Sequence, residues 1–278
     1  MIGQLPGIDS AAAAPQIPGY RLVGSDGGVF TFNSGFYGSA AGHCLTTLAG
    51  SSTACAAAIT SSPSGRGYFL TAPRATTTPY AFGDAVDSGE SCVNPNDAGG
   101  WVGLALSATG QGFLLANAFG NVIVCGDATS YGDTTNLPGV RWATVGIAAT
   151  PDAKGYWLFT YDGGVFAYGD ATFYGPMAGQ RLNQPIVGGS PASDGHGYWL
   201  VSADGGVFSF GDATFAGSMG GKHLSAPMVG IAADPHGVGY WTVASDGRVF
   251  SFGGAPFEGS MGGKELSAPI VCIAASPN

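Results

Sequence analysis

Three markers that recur in fixed order along 278 residues predict an all-β chain, folded as a single six-bladed β-propeller of four-stranded blades. The first is a Gly-aromatic pair at Gly19-Tyr20, Gly67-Tyr68, Gly112-Phe113, Gly155-Tyr156, Gly197-Tyr198 and Gly239-Tyr240. The second is Gly-Asp-Ala, beginning at Gly83, Gly126, Gly169 and Gly211, with Gly253-Gly254-Ala255 in the last repeat. The third is Asp-Gly-Gly at Asp26, Asp162 and Asp204, with Asp246-Gly247-Arg248 as its variant. No window carries sustained helical periodicity, so no long helix is expected.

One unit shows how each element follows. Met228 to Ala233 is an apolar run suited to a strand buried on both faces. A loop over 234–239 leads to a second strand, Tyr240 to Ala244. Ser245-Asp246-Gly247 makes a hairpin turn, because Asp bonds its own backbone and Gly supplies a positive φ. Val249 to Phe252 alternates as a third strand, and Pro256 to Ser260 is expected as a short fourth. The blades begin near residues 19, 67, 112, 155, 197 and 239, within a propeller over 18–278 that follows a tail or linker over 1–17. The chain ends on Ile270-Val271-Cys272-Ile273-Ala274-Ala275, the inner-strand pattern with no blade after it. This strand is expected to complete the blade begun at the N-terminus and so close the ring. Two β-trefoils are the alternative, although nothing divides the chain into halves of three repeats.

The bulk numbers restrict function. The net charge is −9, and the nine Lys and Arg are thinly spread, which argues against nucleic acid and an anionic membrane surface. No apolar run is long enough to span a bilayer as a helix. Five cysteines occur without a Cys-x-x-Cys pair. Cys44 and Cys55 flank a small-residue loop that suits a local disulfide, with free thiols as the alternative; Cys272 reads as a buried small hydrophobe. The acidic composition and the loop cysteines favour an extracellular or cell-surface place. The stretch from Met1 to Pro15 lacks the basic and apolar regions of a signal peptide.

The stretches from Gly197 to Ala213 and from Gly155 to Ala171 resemble the tandem Gly-Tyr-Trp-Leu-Val-x-x-Ser-Asp-Gly-Gly-Val-Phe-Ser-Phe-Gly-Asp-Ala units of secreted actinobacterial proteins. The resemblance is close over 144–278, partial over 19–39 and weak over 40–140. It implies an exported, propeller-like array and brings no catalytic residue set.

Alternating strand direction puts the Asp-Gly-Gly turns and the inter-blade loops on one face, where propellers usually carry their sites. The turn aspartates and the Gly-Asp-Ala aspartates read as turn chemistry. The pairs Tyr156-Trp157, Tyr198-Trp199 and Tyr240-Trp241 read mainly as core rather than sugar platforms. The repeat is broken in blades 1 to 3, where long loops concentrate His43, Asp87, Glu90 and Asp97. Such groups would serve acid/base hydrolysis of a glycan or would hold Ca²⁺, the one cofactor considered; repeat decay is the plainer reading. Arg181, Asn183, Lys222, His223, Lys264 and Glu265 on the regular inter-blade loops are the candidate ligand-binding residues. His43, His196, His223 and His236 show no metal-ligand spacing, and no hydrolase or nucleotide motif is present. The sequence therefore points to a non-catalytic recognition module for polysaccharide, a cell-wall glycan or a protein partner. A glycan hydrolase and a structural surface or filament subunit are the alternatives.

Overall fold

The computed structural model describes residues 17–42, 55–73, 79–86, 100–138, 143–237 and 239–277. The expected tail over 1–17 lies outside them except for Ile17. The described residues form β1 (Gly19–Gly24), β2 (Val29–Phe32), β3 (Ala58–Ser61), β4 (Gly67–Thr71), β5 (Tyr80–Gly83) and β6 (Trp101–Leu106). They continue with β7 (Phe113–Asn117), β8 (Val122–Cys125), β9 (Thr144–Ala149), β10 (Gly155–Thr160), β11 (Val165–Gly169) and β12 (Ile186–Pro191). The last are β13 (Gly197–Ser202), β14 (Val207–Gly211), β15 (Met228–Ala233), β16 (Tyr240–Ala244), β17 (Val249–Phe252) and β18 (Ile270–Ser276).

These strands make six antiparallel sheets in a propeller-like arrangement. Five are consecutive triplets from β3 to β17, and the sixth has the order β18-β1-β2. The expected pairing of the two chain ends is present, with Tyr20 opposite Ala275 and Leu22 opposite Ile273. The inner strands β3, β6, β9, β12, β15 and β18 each pack beside the next, and β18 packs beside β3. They surround a central channel.

Among the described residues each blade has three strands, not the four expected. Pro256 to Ser260 forms no strand, like its described counterparts in blades 1, 3, 4 and 5. The reason lies in its carbonyls, which side chains capture in place of a ladder. Trp241 Nε1 donates to Pro256 O, and Tyr20 OH of the next blade donates to Gly259 O. Trp157 and Trp199 make the equivalent bonds to Thr172 O and Thr214 O. Tyr198 and Tyr240 donate to Gly175 O and Gly217 O of the preceding blade. The Tyr-Trp pairs are therefore wholly buried structural clamps, and none is a sugar platform.

The Gly-aromatic marker also has a steric origin. A Cβ on Gly155 would lie 2.5 Å from the Ala171 nitrogen, so only glycine lets the middle strand meet the turn after the third. Gly103, Gly146, Gly188 and Gly230 are the third residues of their inner strands. A Cβ on Gly103 would come within 2.8 Å of Ile147 N on the neighbouring inner strand. Cys272 takes this place in β18, and it is the free thiol among the described cysteines. It is half-buried on the channel wall rather than wholly buried as expected, and desolvation pushes its pKa up.

Candidate functional site

The inter-blade loops dock on the hairpin turns, so both lie on one face as expected. Met177 N donates to Gly163 O, Met219 N to Gly205 O and Met261 N to Gly247 O. Within the turns, Asp26, Asp162, Asp204 and Asp246 each accept from the backbone N–H two residues on. This is turn chemistry, as read from sequence. On the opposite face the Gly-Asp-Ala carboxylates tie down the loop between inner and middle strands. Asp84 accepts from Ser62 and Ser64, and Asp127 from Ser107 and Thr109. These hydroxyl donors hold both carboxyls below the usual carboxylate range.

The candidate residues fare differently. His43, Asp87, Glu90 and Asp97 all lie outside the described residues, as does Cys44 of the proposed Cys44–Cys55 pair. Arg181, Asn183, Lys222, His223, Lys264 and Glu265 are exposed on three successive loops one blade apart. They share a face and do not converge on one cluster.

Sequence reasoning missed three features. The first concerns histidine: His196 does meet acidic partners, Asp194 and Asp212, with ligand atoms within 4.8 Å of one another. The trio is formed across a hairpin, so linear spacing hides it. It sits exposed on the face opposite the inter-blade loops, and among the described residues no further His, Cys, Asp or Glu joins it.

The second is the channel, about 1070 Å³ in volume. Its collar is made by the second residue of five inner strands, Val102, Val145, Val187, Val229 and Val271, and by Ala57 just before β3. Each valine is a bulge skipped by the ladder. Met228 pairs with Ala244 and Gly230 with Val243, which leaves Val229 unpaired and turned out of register. The same skip occurs at Val102, Val145, Val187 and Val271. Among the described wall residues there is no Asp, Glu, Lys, Arg or His. The recurring Val-Gly dipeptide was the available signal.

The third is an apolar break in the loop face. Four blades place Asp at the tip of the hairpin turn; blade 3 places Phe119 there, 75% exposed. Asn117 has taken over the turn, its Oδ1 accepting from Phe119 N and Asn121 N. One position earlier, blade 4 carries Tyr161, 45% exposed at the channel mouth, where other blades have Ser25, Ala118, Ala203 or Ser245. The two turns are neighbours: Thr144 N donates to Ala118 O, and Tyr161 N donates to Ala143 O. Leu137, also exposed, follows Thr134, whose N–H donates to Gly120 O beside Phe119. Phe119, Leu137 and Tyr161 are thus gathered on one part of the loop face. The rim is different: Phe173, Phe215 and Phe257 are exposed singly, one per blade, and blade 1 exposes Phe36 beside Tyr37.

In comparisons with known proteins, no protein-family model matches the sequence, and no curated protein matches it. Among solved structures, a chain of the crystal structure of a nidogen/laminin complex is similar, with a TM-score of 0.61 and 11% identity. The match covers 93% of this chain and 98% of that one. At this identity the likeness speaks for the fold, an all-β, propeller-like ring of blades.

Proposed function

We propose that this chain is a non-catalytic recognition module whose partner is a protein, engaged by the inter-blade loop face around blades 3 and 4. The observation that carries this reading is the gathered, exposed Phe119, Leu137 and Tyr161 beside the channel mouth. An aromatic replaces an aspartate at a turn tip only at a cost in solubility, and clustered aromatic and aliphatic side chains form the anchors of protein interfaces. The structural neighbour comes from a complex of two proteins, which is consistent with this reading. The acidic composition and the resemblance to exported repeat proteins support an extracellular place for it.

The test is chemical cross-linking of the full chain in its native milieu, run beside a pull-down on insoluble polysaccharides and peptidoglycan with assay of released sugars. The expected result is a cross-linked protein lost with Phe119→Ser/Tyr161→Ser and kept with Phe215→Ser on the rim. Retention on a polysaccharide without a protein partner would replace this reading with a glycan-binding one. Released sugar would replace it with a hydrolase acting through residues such as His43, Asp87, Glu90 or Asp97.

A further inference from the structure

The inner strands are edge strands. Each pairs with a middle strand on one side only and, among the described residues, has no ladder partner toward the channel. An unpaired edge presents backbone donors and acceptors that require water or another chain. At the far end of the channel, hydroxyls take up some of these groups: Ala233 N donates to Ser190 Oγ, and Ser61 Oγ donates to Ala275 O. From the collar through the next two residues, every inner-strand side chain is Val, Ala, Gly, Cys, Ile or Leu, so none carries an oxygen or nitrogen. There, among the described residues, no side chain offers the edge a donor or an acceptor.

The charge of the wall restricts that ligand. An ionised side chain brought inside would lose water and find no opposite charge among the described wall residues. The dimensions suit an extended chain: a six-residue inner strand spans roughly 20 Å at about 3.3 Å per residue. A peptide supplies alternating donors and acceptors at that same spacing. Ala57, on the side of blade 2, is the one small member of the collar.

We propose that the central channel receives an extended, uncharged peptide segment of the partner, which enters past the valine collar and pairs with an inner-strand edge. This rests on the protein-recognition reading and names what the partner inserts.

The probe is a pool of N-acetylated, C-amidated hexapeptides randomised over Ala, Gly, Ser, Thr and Val. It is incubated with the full chain, and retained peptides are identified by mass spectrometry. Fluorescence anisotropy of labelled copies should show saturable binding that falls at least tenfold when the third residue becomes Glu or Lys. Val229→Phe in the collar should weaken it by a similar factor, and Phe173→Ser on the rim should leave it unchanged. Because a bulky collar residue can strain the ring, amide hydrogen exchange is also followed on the unaltered chain. Bound peptide should slow exchange severalfold in β9, β12 or β15. The proposal is overturned by no retained peptide, by retained peptides that tolerate Glu and Lys, or by unchanged inner-strand exchange. If cross-linking to a partner still depends on Phe119 and Tyr161, that failure is the channel's alone. If no partner is cross-linked either, the recognition reading fails with it.

Discussion

Arg21 stands where blades 4 to 6 have tryptophan, and it does the tryptophan's work by other means. Its Nε donates to Gly35 O, the place Trp157 fills with Thr172 O. Its other nitrogens reach into blade 2, to Ser61 Oγ and Gly65 O, and the guanidinium lies over Tyr68, 5.0 Å from the ring centroid. Burial pulls its pKa below the usual arginine value while Tyr68 and Tyr37 act the other way, yet a guanidinium stays charged at any working pH. Arg21→Ala strands three acceptors and leaves a cavity, an expected loss of about 3–5 kcal/mol. Thermal unfolding should show it, with Arg21→Trp intermediate because its indole N–H can still reach Gly35 O. A melting temperature unchanged in Arg21→Ala would refute this account. Nothing local in the sequence announces the substitution: Arg21 reads as a surface residue until the blades are aligned on their Gly-aromatic pairs.

At the scale of the blade, the hairpins were the most legible part. Residues 228–233, 240–244 and 249–252 were expected as strands, and β15, β16 and β17 occupy the same residues. Gly, Asp and alternating apolar residues act locally, so their signal survives in a short window. The missing fourth strand was illegible because the side chains that capture its carbonyls come from other strands or from the next blade. The loop facing Asp127 allows a test of the tie on the opposite face. The folded state holds this carboxyl below its ordinary range, so its stabilisation is complete above that range and is lost as pH falls through the lowered value. At this exposed site the tie is worth less than about 1 kcal/mol, roughly 2 °C of melting temperature. Asp127→Asn should therefore melt slightly lower near neutral pH, and the gap should close as pH falls below the ordinary carboxylate range and through the lowered value. A gap that widens on acidification would contradict the assignment.

Across the whole molecule, the blades are joined by repeated tyrosine bonds from each middle strand to the blade before it. Blade 3 departs from this with Phe113, which has no hydroxyl to donate. The shared blade, built from both ends of the chain, makes the ring depend on its last strand. Ile270, Ile273 and Ala274 of β18 are buried core residues. A chain truncated after Pro269 should lose its cooperative thermal transition, and a synthetic peptide of residues 268–278 added in trans should restore part of it. Retention of the full-length melting temperature by the truncated chain would show that the ring does not need β18. The repeat itself was legible at this scale, whereas the candidate site was only partly so. Phe119 and Tyr161 are single departures in ordinary-looking turns, brought side by side by the hydrogen bonds of Ala143 and Thr144.

The blade shared by both ends also fixes how the ring can be tethered. β1 begins, and β18 ends, on the face that carries the Gly-Asp-Ala ties, with Ser276 opposite Gly19. Gly19 and Ser276 thus mark neighbouring points on that side of a single blade. A wall, a filament or a second domain attached there would sit behind the ring, leaving Phe119, Tyr161 and the valine-lined mouth pointed outward.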